Sequence, residues 1–235
     1  MRYAIYYTPD RDELLAGLGA RWLGRDLFTG HTMQQALAGD IDPERLEIVT
    51  RDPRRYGFHA TLKPPFRLKD GAEPAELAAR FEAFAKTHAP VALSGLVVAR
   101  IGGFLALVPA APSQELEHLA AAAVEAFDDL RAPPSEEEIA RRRPDALTGR
   151  QRDLLQRWGY PYVFEEFRFH MTLTGKLDDA VEAETLAAAA RSFFAPVIEK
   201  PISLSTVALC IESAPATPFL AERLSPLQAS TDVDA

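Results

Sequence analysis

Two histidines and two threonines recur in this sequence in one pattern that suits chemistry on a phosphate group. His59 and Thr61 lie in YGFHATLKPPF, and His170 and Thr172 lie in FEEFRFHMTLTGKL. Histidine changes its protonation state near neutral pH, so two of them can serve as a general base and a general acid. The threonine hydroxyls could donate hydrogen bonds to phosphate oxygens. One His-x-Thr alone is too short to indicate a function, so the prediction depends on the second copy.

The second copy lies in a repeat of the surrounding sequence. Each Phe-His-x-Thr-Leu is followed by an Ala-rich helix pattern, then Ala-Pro, then a strand pattern that contains Leu-Ser. The offset from histidine to serine is 35 residues in both copies, from His59 to Ser94 and from His170 to Ser205. A shared motif, a shared order of elements and a shared offset indicate an internal duplication.

Strand alternation predicts which side chains accompany the histidines, because residues i and i+2 of a strand share a face. Lys63 is then expected beside His59 and Thr61, and Arg168 and Thr174 are expected beside His170 and Thr172. The apolar faces should pack against helices, which leaves the polar faces to line a groove. Two cations and several hydroxyls in such a groove suit a phosphate or a phosphodiester.

Some of these side chains have simpler interpretations, which stay open. A cation at a strand end, such as Lys63 or Arg168, is often only solvated. Tyr56 and Tyr162 could stack on a sugar or a base, but aromatic residues more often pack in the core. The other three histidines and the single cysteine, Cys210, complete no convincing ligand set. We therefore predict a site without a metal and a protein without a cofactor.

The elements that must position these residues are those of an α+β protein. The stretch RYAIYYT predicts a strand, and Thr8-Pro9 predicts the start of a helix. Residues 28–55 indicate mostly loop with one short helix. The first His-x-Thr strand should end at Pro64-Pro65, because proline cannot continue a strand ladder.

The charged segment 131–157 separates the two copies of the motif. Two capping-box patterns, from Ser135 to Glu138 and from Thr148 to Gln151, predict a pair of linking helices in it. We predict one domain over residues 1–228, with lobe-like halves at about 1–130 and 160–225. Residues 229–235 are polar and are expected to form a disordered tail.

Composition restricts the class of protein. The chain has 235 residues, of which 47% are hydrophobic and 26% charged, and a net charge of −8. This charge argues against wholesale binding to nucleic acid or to anionic membranes, although six basic residues between Arg51 and Lys69 leave RNA as a less favoured partner. No segment is apolar enough for a signal sequence or a membrane span. We expect a cytoplasmic protein, a monomer, with a small phosphorylated substrate.

The paired motifs resemble those of the two-histidine (2H) phosphoesterase superfamily, and their longer contexts look like its DUF1045 branch of phosphonate-metabolism proteins. The resemblance implies a bilobal fold with two lobes related by a pseudo-twofold axis, each with an antiparallel sheet and flanking helices. The His-x-Thr strands would line the central cleft. It also implies that His59, Thr61, His170 and Thr172 are catalytic.

The activity implied by the resemblance is hydrolysis, without a metal, of a cyclic phosphodiester. The expected substrate is a small sugar cyclic phosphate or a nucleoside 2′,3′-cyclic phosphate, with a possible place in phosphonate metabolism. The alternative is a non-catalytic protein that binds phosphorylated ligands or RNA ends on the same fold. Loss of turnover in His59→Ala or His170→Ala would favour the enzyme, and binding without turnover would favour the alternative.

Overall fold

A seven-stranded antiparallel sheet forms the centre of the structure, which is a computed structural model describing residues 1–39 and 41–228. Its strands, together with two short strands that pair with each other, are β1 (Arg2–Tyr7), β2 (Ala60–Phe66), β3 (Val91–Leu93), β4 (Leu96–Ile101), β5 (Phe104–Pro109), β6 (Met171–Thr172), β7 (Ile202–Leu204), β8 (Thr206–Glu212) and β9 (Leu220–Pro226). The helices are α1 (Leu14–Leu23), α2 (Pro43–Tyr56), α3 (Pro74–Thr87), α4 (Gln114–Ala126), α5 (Glu136–Arg141), α6 (Gly149–Trp158) and α7 (Ala180–Phe194). The predicted α+β class is confirmed.

The strands of the two sequence halves are interleaved in the sheet. Its order is β4-β5-β6-β2-β1-β8-β9, so β6 from the second half lies between β5 and β2 from the first half. The two Leu-Ser strands, β3 and β7, pair with each other in a separate two-stranded sheet. The halves predicted at about 1–130 and 160–225 therefore contribute strands to one shared sheet. The predicted tail at 229–235 lies outside the described residues.

Helices cover one face of the sheet and form the main core with it. Ile5, Ala60, Leu62 and Met171 point to this face and are almost completely buried. The opposite face carries a smaller apolar cluster that includes Tyr6, so β1 alternates between the two faces. The polar residues of the His-x-Thr motifs lie on this second face.

Two helices differ from the sequence prediction at their ends. Helix α1 begins at Leu14 and not at Thr8-Pro9, and the Thr8 hydroxyl instead donates a hydrogen bond to the carbonyl of Phe58 at 3.2 Å. Helix α2 has 14 residues, where only a short helix was predicted. Asp42 caps it and Pro43 occupies its first turn, and these are ordinary start signals. Pro53, inside the helix, obscured the pattern.

The linking segment and β2 show one confirmed and one wrong prediction. Both capping boxes of segment 131–157 are present, at the starts of α5 and α6. Strand β2, however, does not end at Pro64-Pro65 but continues to Phe66, which pairs with Tyr3. The prolines are tolerated because β6 pairs with β2 only at Ala60, so no strand needs their missing N–H groups on that side.

None of the helices in the ranges 1–39 and 41–228 has the length and the apolar character needed to cross a membrane.

Candidate active site

The two His-x-Thr motifs lie side by side on neighbouring antiparallel strands. Ala60 of β2 pairs with Met171 of β6, so the antiparallel register sets His59 opposite Thr172 and Thr61 opposite His170. Opposite side chains in such a pair have Cβ atoms about 4.5–5.5 Å apart, and diagonal ones about 7–8 Å. The four side chains therefore form one group on one face of the sheet, which we call the histidine patch. A single phosphate could touch all four.

The turn before β2 fixes the orientation of His59. Gly57 ends α2 with φ +77° and ψ 176°, a conformation that favours glycine. Its carbonyl oxygen lies 2.8 Å from Nδ1 of His59. Because a carbonyl can only accept, Nδ1 carries the proton and Nε2 of the neutral ring has the free lone pair. The hydroxyl of Thr61 lies 3.2 Å from that Nε2 and can donate to it.

His170 repeats this arrangement. Its Nδ1 lies 2.6 Å from the carbonyl oxygen of Arg168, again two residues earlier in the chain. Nε2 of His170 is therefore also the acceptor nitrogen of the neutral ring. Both motifs thus share the hydrogen bond that sets the tautomer of the histidine.

Burial keeps both imidazoles neutral at pH 7. It lowers the pKa of His59 to about 4, against the hydrogen bond to Gly57, and the nearby His170 lowers it further. Burial also lowers the pKa of His170, and the hydrogen bond to Arg168 opposes that shift. Each neutral ring has a lone pair on Nε2 that can accept a proton. After it has taken up a proton, the same nitrogen can donate a hydrogen bond. A bound phosphate would favour that uptake, because an opposite charge stabilises the imidazolium.

Aromatic rings hold the two histidines in place. Tyr6, which pairs with Thr61 in the sheet, stacks on His59 with ring centroids 3.8 Å apart and an angle of 27°. The ring centroid of Phe104 lies 5.6 Å from that of His170. Tyr56, a predicted substrate contact, has its ring centroid 6.3 Å from that of His59. Tyr6 was not among the predicted site residues, because its place on an adjacent strand could not be inferred from spacing.

Lys63 does not join the histidine patch. Thr61 pairs with Tyr6 and Lys63 pairs with Ile5, so two residues of β2 match one step of β1, which is a β-bulge. The bulge turns Lys63 to the helix-covered face, where it is 1% exposed. Its Nζ donates to the carbonyl oxygen of Val124 at 2.7 Å and lies 3.5 Å from Asp128. The substrate contact expected from strand alternation is therefore not available to Lys63.

Thr174 and Arg168 also lie differently from what alternation predicted, and Tyr162, the candidate for stacking on a sugar or a base, lies near the surface. Thr174 is fully buried, and its hydroxyl accepts a hydrogen bond from the backbone N–H of Leu105 at 3.0 Å, so its role is structural. Arg168 precedes β6, and its exposed side chain borders an apolar depression beside β4 and β5. Tyr162 is 45% exposed and packs edge-on against Tyr160, 5.7 Å away.

An arginine-lined cavity opens beside the histidine patch, and the sequence indicated only part of its lining, the basic run between Arg51 and Lys69. Its volume is about 190 Å³, and Tyr56 forms part of its wall. The arginines that line it are Arg2, Arg55, Arg67, Arg131, Arg141 and Arg142. These residues come from β1, α2, the end of β2 and the segment 131–157. Arg55 and Arg67 belong to the basic run, but the other arginines are distant from it in the sequence, so no local pattern could have revealed the whole cluster.

Within residues 1–39 and 41–228, no three His, Cys, Asp or Glu side chains are grouped so that they could hold a metal ion.

Two curated relatives carry an enzyme name. The ribose 1,5-bisphosphate phosphokinase PhnN of Janthinobacterium sp. (strain Marseille) is 41% identical over 222 residues, which cover 93% of this chain and 49% of that protein. The protein of the same name from Laribacter hongkongensis (strain HLHK9) is 37% identical over 194 residues, covering 82% of this chain and 44% of that protein. The chain thus spans about half the length of these relatives.

A solved structure, that of TT0787 of Thermus thermophilus, aligns with 98% of this chain and 100% of its own. Its TM-score is 0.45 and its sequence identity 16%.

The relatives' names correct the predicted activity. Hydrolysis of a cyclic phosphodiester was expected from the paired motifs, but the relatives are named as a phosphokinase, which transfers a phosphoryl group. The prediction of a cyclic phosphodiesterase, and with it the class of hydrolase, is wrong. The motifs alone did not determine the reaction.

The predicted family is confirmed at the level of its branch. A family model, described as protein of unknown function (DUF1045), matches residues 61–220, which include Thr61 and the whole second motif. This chain belongs to the DUF1045 family.

Proposed function

We propose that this chain is the part of a sugar-phosphate enzyme that binds a phosphorylated ribose at the histidine patch and moves protons at its phosphate group. The observation that carries the proposal is the pairing of Ala60 with Met171, which sets two imidazoles and two hydroxyls on one face of the sheet. The relatives' name supplies the class of ligand, a ribose bisphosphate.

Each residue has a chemical role in this proposal. Nε2 of His59, neutral at pH 7, accepts the proton of the sugar-phosphate oxygen that attacks the γ-phosphorus of ATP. The new O–P bond forms as the bond from the γ-phosphorus to the β–γ bridging oxygen breaks, and ADP leaves with that oxygen. His170, on the diagonal of the patch, donates a hydrogen bond or a proton to a phosphate oxygen once the anion has raised its pKa. Thr61 and Thr172 donate to the remaining oxygens.

The proposal assigns the sugar phosphate, and not the nucleotide of a kinase reaction, to this chain. The relatives are about twice as long, and their name belongs to their whole length. The 235-residue sequence holds no G-x-x-x-x-G-K-S/T stretch, the loop with which many nucleotide-binding proteins hold phosphates. We therefore propose that the chain contributes ribose-phosphate binding and proton transfer to a phosphoryl-transfer enzyme.

Two finer points belong to this proposal. The two-histidine superfamily, with its pseudo-twofold pair of lobes, is favoured by the facing motifs and by the repeated hydrogen bond at His59 and His170. This is a statement about descent and not about the reaction. A place in phosphonate metabolism agrees with the family branch and with the relatives' names.

The test is a ³¹P NMR titration of the protein with ribose 5-phosphate and with ribose 1,5-bisphosphate, with and without Mg-ATP. We expect saturable shifts of the ligand phosphate resonances. His59→Gln and His170→Gln should weaken binding by about tenfold, since each removes a hydrogen bond to a charged group. Any turnover should fall by about 10²–10⁴-fold, the usual loss when a general acid or base is removed.

The matched control is His31→Gln, because His31 is an exposed histidine in a loop outside the patch. It should leave the resonance shifts unchanged. Equal shifts in the wild type and in both patch variants, with folding intact, would contradict the proposal.

A further inference from the structure

The arginines that line the cavity outnumber the carboxylates that neutralise them. Six guanidinium groups line it, and within the described residues three carboxylates neutralise them: Glu138, Glu212 and Asp128. Arg2 and Arg55 share Glu212, Arg67 pairs with Glu138, and Arg131 pairs with Asp128. The excess of cations makes the cavity a site for an anion.

One atom in the cavity wall is unsatisfied. Nε of Arg55 is buried and has no hydrogen-bond partner within the described part of the chain. A buried polar group without a partner costs free energy, of order 1–3 kcal/mol and more for a charged group. Because this atom is covered, the exposed guanidinium groups at the cavity, among them those of Arg141 and Arg142, are the ones that an anion can contact directly. Arg142 lines the same cavity, and its guanidinium lies 4.6 Å from the ring centre of Tyr160.

The cavity and the histidine patch lie on the same face of the sheet. Arg2 and Tyr6 are on the same strand, β1, at an even spacing, so their side chains project from one face. Arg2 lines the cavity and Tyr6 stacks on His59. Tyr56 lines the cavity and also neighbours His59. Tyr6 is buried, whereas Tyr56 is partly exposed, so a ligand that reaches from one site to the other would pass over Tyr56.

We propose that the arginine cavity is a second phosphate-binding subsite, which holds the far phosphate of a sugar bisphosphate whose near phosphate lies on the histidine patch. This proposal rests on the proposed function for the identity of the ligand, and on the cavity alone for the anion site. Arginine suits the role because its planar guanidinium binds phosphate oxygens in pairs. The charged segment 131–157 supplies three of the six arginines and thereby a wall of the site.

The experiment is calorimetry at 0.15 M salt with three probes: ribose 1,5-bisphosphate, ribose 5-phosphate and inorganic pyrophosphate. The test variant is Arg141→Gln with Arg142→Gln, two exposed residues at the end of α5 whose replacement leaves the core unchanged. The control is Arg150→Gln with Arg191→Gln, which removes the same charge from exposed ion pairs outside the cavity.

We expect the wild type and the control to bind the bisphosphate at least tenfold more tightly than ribose 5-phosphate. The Arg141/Arg142 variant should lose that advantage and should bind pyrophosphate at least tenfold more weakly. An advantage that persists in this variant, or that is absent from the wild type, would overturn the second subsite.

Failure of the second subsite can be distinguished from failure of the proposed function. If His59→Gln and His170→Gln bind both sugars like the wild type, the proposed function fails. Pyrophosphate binding that still depends on Arg141 and Arg142 would then uphold the anion site, and pyrophosphate binding that ignores them would overturn it.

Discussion

At the scale of single residues, the histidine patch is defined by how firmly each imidazole is held. His59 is fixed by a backbone carbonyl on one nitrogen, by a threonine hydroxyl on the other and by the stacked ring of Tyr6. Such support is needed because proton transfer requires the nitrogen within hydrogen-bond reach of its target. Burial then keeps the ring neutral and able to accept a proton.

Lys63 gives a test of the bulge in β2. Burial lowers its pKa to about 8 from 10.5, although Asp128 opposes the shift. Between these pH values the unfolded chain binds a proton that the folded chain lacks, so stability rises with pH across this window. Below pH 8 the lysine is charged in both states and its burial costs on the order of 3 kcal/mol.

We therefore expect Lys63→Met to be as stable as the wild type or more stable at pH 7. The replacement does not leave Asp128 without a cationic partner, because Arg131 lies 2.8 Å from its carboxylate. The variant should also lose the wild type's gain in stability between pH 8 and 10.5. Urea unfolding at several pH values measures both effects, with the exposed Lys69→Met as control. Weaker binding of a sugar phosphate in Lys63→Met would show that this lysine does reach the ligand.

The sequence predicted the residues of the patch better than their neighbours. Strand alternation correctly sets His59 and Thr61 on one face, because the register of β2 has no shift between them. It fails one step later at Lys63, because a bulge adds a residue that no side-chain pattern reveals. It fails at Thr174 because β6 has only two residues and the chain beyond it leaves the strand.

At the scale of elements, the packing of α1 against the start of β2 sets the position of His59. A Cβ on Gly19 would lie 2.1 Å from the ring of Phe58, the residue before His59. Phe58 in turn stacks on Phe194 of α7, with ring centroids 6.1 Å apart. The close approach of the helix thus leaves no space for a side chain at position 19.

Gly19→Ala is expected to destabilise the protein by about 1–3 kcal/mol, the usual cost of overpacking a core. It should also weaken sugar-phosphate binding, because the displaced Phe58 moves His59. Gly17→Ala on the same helix is the control: nothing lies within 4 Å of its Cβ position. That change should stabilise the helix by up to about 1 kcal/mol. Thermal unfolding distinguishes the two, and equal effects would refute the packing argument.

At the scale of the whole molecule, buried Glu212 joins parts of the chain that are far apart in sequence. It accepts from Arg2 of β1 and from Arg55 of α2, and its side chain is only 1% exposed. Burial raises its pKa, but the hydrogen bond from Arg2 and the charges of both arginines outweigh burial and lower it. Its stabilising contribution is therefore present above its usual pKa near 4.5 and is lost as the pH falls through the lower folded value.

Glu212→Gln should cost about 2–4 kcal/mol at pH 7, because it leaves two partly buried arginines without their carboxylate. The loss should shrink at low pH, where the wild-type carboxyl is itself protonated. Glu184→Gln, which removes an exposed partner of Arg191, should cost less than about 1 kcal/mol. Urea unfolding at pH 7 and pH 4 compares them, and a neutral Glu212→Gln would argue against this ion pair as a structural link.

The sequence indicated the class of fold, and the arrangement of the strands and of the arginine cavity depended on long-range pairing. The capping boxes of α5 and α6 are local, so they were predicted correctly. The place of β6 between β5 and β2, and the meeting of Arg2, Arg55 and Arg142 around one cavity, join residues that are distant in the chain. No short pattern encodes such contacts.

The pairing of β1 with β8 has a consequence for the synthesis of the protein. Arg2 meets Glu212 across 210 residues, so the ribosome makes β1 and its first neighbour, β2, long before its second neighbour, β8, exists. At about 5–20 residues per second, one edge of β1 stays unpaired in the nascent chain for on the order of ten seconds or more. An unpaired strand edge is a template for pairing with another chain, so synthesis exposes this protein to aggregation until β8 is complete.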